Sequence, residues 1–114
     1  MDALEMTLLY DYYGDLLTDR QKQCFDLKYN QDLSLTEIAQ ELQVSRQGVY
    51  DNLSRAEALL RNMEDKTGCV RRDLALRSAE NIILEAAEEL LKYPDNQVSG
   101  PARRIISAVQ GLKE

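Results

Sequence analysis

Ser34 and Ser45 stand eleven residues apart, each ahead of a run whose apolar residues recur at three- and four-residue spacing. A serine in that place accepts a backbone N–H of the first turn and starts a helix. Glu37, three residues after Ser34, completes a capping box. The stretch SLTEIAQELQVSRQGVYDNLSRAEALL (34–60) therefore predicts a short helix, a turn at Gln43 and Val44, and a long second helix. Ile38, Ala39 and Leu42 form the inward face of the first. Val49, Leu53, Leu60 and Met63 make a seam along the second, with Ala56 as its small member. The pattern is that of a helix-turn-helix. Two helices that cross steeply need a small residue at the contact, here Ala39. An apolar residue follows the turn, Val44, and Val49 presses inward from a capped second helix. Any short helix leading into a long one shares part of this pattern.

The flanking sequence is helical too. Met6, Leu9, Tyr13 and Leu16 form one stripe of an amphipathic helix over 2–17, with Gly14 weakening its last turn. Thr18 and Gln21 make another capping box. The helix they open runs to about Tyr29 and buries Cys24, Phe25 and Leu27, with a polar turn at 30–32. The long helix from Arg46 reaches about Lys66 and is stopped by Gly68. Residues 69–92 carry another helical pattern with a wide apolar face. Tyr93-Pro94-Asp95-Asn96 breaks it, and Pro101 opens a last helix over 101–112 bearing Ile105, Ile106, Val109 and Leu112. The chain is all-α: a helix-turn-helix domain at 1–66 and a helical extension at 67–114.

Composition removes several function classes. The 114 residues include no histidine, so Ser/His and Cys/His pairs are excluded and no enzyme is expected. Two cysteines without histidine are too few for a zinc site, and no glycine-rich phosphate loop is present, so neither metal nor cofactor is expected. No apolar run reaches membrane-spanning length. The acidic start MDALEMTLLYDYYGDLL lacks the positive segment of a signal peptide. These features predict a cytoplasmic protein with no membrane insertion, whose Cys24 and Cys69 stay reduced.

With Val49 inward, the helical period turns Gln47, Asp51, Ser54 and Ala58 outward, flanked by Arg46, Tyr50 and Arg55. Gln47 can pair with adenine and Asp51 can accept from cytosine N4, while Arg46 and Arg55 reach phosphates. Against this stands the net charge of −6, and residues 34–62 hold three arginines against four acids. Phosphate neutralisation supplies much of DNA affinity, so the segment alone binds weakly.

LLTDRQ, SLTEIA and VSRQGVYDN resemble region 4 of bacterial sigma factors, which binds promoter DNA, and resemble more closely the YlxM-like family of small helix-turn-helix proteins. The likeness covers roughly residues 4–66. It implies Ser45, Arg46, Gln47, Tyr50, Asp51, Asn52 and Arg55 as the DNA-facing set. It also implies, through gene neighbourhood, a link to the signal recognition particle pathway. Two classes of function follow: a DNA-binding regulator, or an accessory protein that uses the helical scaffold to bind the particle's GTPase or its RNA. Three positions depart from the usual pattern. Gln43 occupies a turn position that commonly holds glycine, Asn52 a place commonly apolar, and Gly48 a place where the family is expected to have alanine.

The C-terminal half carries a separate expectation. Leu76, Ala79, Ile83, Ala86 and Leu90 follow the spacing of a helix–helix seam. Residues 67–114 hold seven acids and seven bases, so this half does not repel its own copy, and a homodimer is expected.

Overall fold

The computed structural model describes residues 3–113. Asp2, which the sequence reading places in the first helix, lies outside them. The elements are α1 (Ala3–Tyr13), a 3-10 turn (Gly14–Leu16), α2 (Asp19–Tyr29), α3 (Leu35–Leu42), α4 (Arg46–Thr67), α5 (Cys69–Leu90) and α6 (Asn96–Lys113). Among the described residues there is no strand, and the fold is all-α. No helix among them is long and apolar enough to cross a membrane. The chain divides into two compact units, Met1–Val70 and Arg71–Glu114.

In the first unit the caps do what their residue types dictate. Thr18 Oγ1 accepts from the Gln21 amide at 3.2 Å, and Gln21 Oε1 accepts from the Thr18 amide at 2.9 Å. Ser34 and Glu37 repeat the exchange at 3.1 and 3.0 Å. α4 runs along two clusters. Its N-terminal half sends Val49 and Leu53 into a core with Cys24, Leu27, Ile38 and Ala39. Its C-terminal half sends Ala56 and Leu60 into a second core with Met6, Leu9, Tyr13, Leu17 and Phe25. One long helix thus ties the helix-turn-helix to α1. Each of these buried side chains is worth about 1.5–3 kcal/mol if large and aliphatic.

The stripe predicted for α1 fails at its end. Leu16 is 55% exposed, and Leu17, at 5%, takes the buried place. The α-helix stops at Tyr13 and the chain tightens into the 3-10 turn, closed by the Leu17 amide on the Gly14 carbonyl at 3.0 Å. Three residues per turn instead of 3.6 shift the inward position. Gly14 permits the turn's packing: a Cβ there would lie 3.1 Å from the Tyr10 ring, which itself stacks on Phe25 at 4.7 Å.

α4 ends on Gly68, whose φ of 65° is the left-handed conformation glycine adopts most easily. Glu64 fastens this corner. Its Oε1 accepts from the Tyr13 hydroxyl at 2.7 Å and from the Val70 amide at 3.0 Å. Tyr13 Oη and Thr67 Oγ1 lie 2.5 Å apart.

In the second unit α5 ends at Leu90, two residues earlier than the sequence suggests, and α6 begins at Asn96 rather than Pro101. The cause is Asp95. Its Oδ1 accepts from the Gln97 amide at 2.9 Å, and its carbonyl accepts from the Val98 and Ser99 amides at 3.0 Å. A carboxylate cap there outranks the proline as a start signal. Pro101 then falls inside the helix, where it forfeits one backbone bond, and Gly100 before it presents no Cβ to the ring. Glu80 and Ala87 of α5 and Ser99, Ala102 and Val109 of α6 are buried. Leu76, Ile82, Ile83 and Leu90 remain 55, 65, 45 and 39% exposed.

Candidate nucleic-acid interface

The turn between α3 and α4 sets the aim of α4. Gln43 closes α3 in the left-handed region, φ 57° and ψ 46°. The Gln43 and Val44 amides both bond the Ala39 carbonyl, Val44 at 3.0 Å. This wraps the chain tightly over Ala39, which is buried against α4 and α2. The conformation is the one the motif's usual glycine adopts freely, so Gln43 holds it at a cost of about 1 kcal/mol. Val44, the apolar residue that follows the turn, is 36% exposed. The core behind the turn is filled by Ile38 and Val49, both at 0% exposure, with Leu42 packed at its edge, so Val44 is left at the rim.

Seen from α4, the sequence-predicted residues separate into two groups. Arg46, Gln47, Tyr50, Asp51 and Arg55 are exposed on the N-terminal half of the helix, with Ser54 and Ala58 beside them. Ser45 and Asn52 are engaged within the chain. Ser45 Oγ accepts from the Gly48 amide at 2.9 Å, the N-cap of α4. Asn52 is half-buried and its Nδ2 donates to the Gly48 carbonyl at 2.9 Å. Leu53, at 2% exposure, supplies the buried group that Asn52 does not. Ser45 and Asn52 therefore stabilise the first turns of α4 rather than line its outer face.

Gln47 Nε2 donates to Asp51 Oδ1 at 3.0 Å. That bond fixes both side chains one turn apart on the exposed face. It leaves the second amide hydrogen and the oxygen of Gln47, and the other Asp51 oxygen, for a ligand. Neither Arg46 nor Arg55 forms an ion pair among the described residues. Tyr50 adds a ring that is 54% exposed.

Two further acids of this region, Glu37 and Glu57, have partners within the chain. Glu57 accepts from the Tyr29 hydroxyl. Burial, then that hydrogen bond, pushes the Tyr29 hydroxyl pKa upward. Glu37 is bonded to Ser34, whose backbone and side-chain hydrogen bonds hold its carboxyl below the usual value. The Tyr29–Glu57 pair was not legible in the sequence. Tyr29 and Glu57 lie on different helices and no local spacing connects them. The capping boxes were legible because both partners fall within one turn.

Cys24 is a buried free thiol and Cys69 a half-buried one. Burial raises the Cys24 thiol above its usual pKa, which keeps it protonated and unreactive.

The profile of UPF0122, described as "Putative helix-turn-helix protein, YlxM / p13 like", matches residues 1–95. A UPF0122 protein of Acetivibrio thermocellus is 42% identical over 106 residues, covering 93% of this chain and 88% of the relative. One of Clostridium novyi is 40% identical over 96 residues, covering 84% and 83%. One of Thermoanaerobacter sp. (strain X514) is 56% identical over 71 residues, 62% of this chain and 61% of the relative. In that last match the chain spans about three fifths of the relative's length.

Proposed function

From the premise that this chain belongs to the UPF0122 family of YlxM/p13-like helix-turn-helix proteins, we propose that α4 is a DNA-reading helix and the protein a DNA-binding regulator. The observation that carries this reading is the division of α4 into two faces. Val49 and Leu53 are sealed in the core, while Gln47 and Asp51 lie on the opposite side of the helix, with Arg46, Tyr50 and Arg55 exposed on its flanks. A helix seated in the major groove with this face inward presents Gln47 to adenine or Asp51 to cytosine, with Arg46 and Arg55 at the phosphates. The second amide hydrogen of Gln47 keeps an adenine contact compatible with its bond to Asp51.

Two cationic contacts give a weak, salt-sensitive complex. Each phosphate contact contributes about 0.9 to the slope of log affinity against log salt. The net charge of −6 works against non-specific binding and favours recognition by the few base contacts.

One observation favours a second reading. Residues 1–66 hold thirteen acids and seven bases, a balance suited to a basic protein surface. In that reading the helix-turn-helix is a scaffold and the partner is the signal recognition particle GTPase or, less suitably for an acidic surface, its RNA. Titrating the protein against labelled genomic DNA fragments, the particle RNA and the GTPase, at two salt concentrations, separates the two. Saturable binding to a subset of DNA fragments, lost at high salt, supports the first. Binding to the GTPase or the RNA with none to DNA refutes it.

A further inference from the structure

We propose that Gln47 and Asp51 act as one reading unit, which takes an adenine and a cytosine stacked as neighbours on one DNA strand. This deepens the DNA-reading proposal and rests on it. The observation beneath it is the hydrogen bond from Gln47 Nε2 to Asp51 Oδ1 at 3.0 Å. Val49 and Leu53 are buried, at 0 and 2% exposure. The helical period then puts Gln47 and Asp51 at the centre of the outward side.

The bond has a polarity. A carboxylate only accepts, so the Gln47 amide turns its nitrogen toward Asp51. Its oxygen and its second N–H are left for a base. One acceptor beside one donor matches adenine, which offers the N6 amino group and N7. Guanine offers two acceptors, O6 and N7. To meet them the amide would have to rotate and lose its bond to Asp51. The second oxygen of Asp51 is an acceptor and matches the cytosine N4 amino group. Against thymine O4 or guanine O6 it would set a charged acceptor on another acceptor, with no hydrogen bond to offset the lost water. Arg55 stands one turn beyond Asp51, yet the two form no ion pair among the described residues. The charge of Asp51 is thus left for the base to meet.

Spacing joins the two contacts. One helical turn separates the residues by about 5.4 Å along the axis, but their bonded tips stand 3.0 Å apart. Consecutive bases on one strand are about 3.4 Å apart. The paired tips therefore fit two adjacent bases, where two independent side chains would not be held to that distance.

The test starts with selection of bound sequences from random duplexes by the full chain. The enriched sites should share an adenine next to a cytosine on one strand. Two analogues of an enriched duplex then delete one amino group each: purine replaces that adenine, or 2-pyrimidinone replaces that cytosine. Each should weaken binding by the parent on the order of tenfold. Asp51→Ala should make binding indifferent to 2-pyrimidinone. It should also admit guanine at the adenine position, since the Gln47 amide is then free to turn. Non-matching duplexes should bind this variant more tightly than the parent, because a negative charge has left the face. A residue with only a structural role would instead weaken all sequences alike. Position 51 is exposed, so the variant should fold, with circular dichroism as the check. The two analogues test the parent without any substitution. A parent that binds no duplex overturns α4 as a DNA-reading helix and the paired readout with it. Enriched sites without the adenine–cytosine step, a parent indifferent to both analogues, or Asp51→Ala that keeps the penalty for 2-pyrimidinone overturns the paired readout alone.

Discussion

Gln43 is where one side chain works hardest against its backbone. Its left-handed φ of 57° gives the turn its shape, and glycine would hold that shape without strain. Gln43→Gly should raise stability by about 0.5–1 kcal/mol, the relief of strain exceeding the added freedom of the unfolded chain. A urea midpoint that rises at constant m-value checks this. Tyr29 gives a prediction in pH. Its hydroxyl pKa is raised by burial and by the bond to Glu57. A raised folded pKa contributes stability that is full below the ordinary value of 10.0 and is lost as pH rises beyond it. Tyr29→Phe should therefore flatten the alkaline decline of stability, measured by thermal melts between neutral and strongly basic pH. The role of Gln43 was half legible: the sequence marks it as standing where glycine is usual, but only the backbone shows that it adopts glycine's conformation.

The helix starts were the most legible features because caps act within one turn. Thr18, Ser34 and Ser45 all cap as their residue types predict. Ser45→Ala should cost about 1 kcal/mol and fray the first turn of α4. It should also weaken any DNA binding without touching the exposed face, since Arg46 and Gln47 lie in that turn. Stability by denaturation and affinity by titration should fall together. Misreadings arose where two local signals competed. Pro101 and Asp95 both start helices, and the capping carboxylate prevailed. Leu16 fits the α-helical period and Leu17 does not, but the 3-10 turn after Tyr13 changes the period. Which residues of α4 are exposed was legible for the opposite reason. They lie on the N-terminal half of one 22-residue helix, where one period holds throughout.

For the molecule as a whole, a net charge of −6 and a helix-turn-helix coexist in one chain. Part of the acid is spent in the interior of the first unit's network: Glu57 on Tyr29 and Glu64 on Tyr13 and the Val70 amide. The outer face of α4 keeps both its arginines unpaired among the described residues. Leu53→Ala, which empties the core beneath that face, should destabilise the first unit by about 2–5 kcal/mol and abolish every binding activity that depends on it. Arg46→Ala, on the exposed side, should leave stability unchanged. The most direct test is fluorescence anisotropy of labelled genomic DNA fragments with the parent and with Arg46→Ala, at two salt concentrations. The parent should bind a subset of fragments, and Arg46→Ala should bind all of them more weakly with a salt slope lower by about one unit. A folded Arg46→Ala that binds as tightly as the parent with an unchanged slope, or a parent that binds no DNA at either salt concentration, would contradict α4 as a DNA-reading helix.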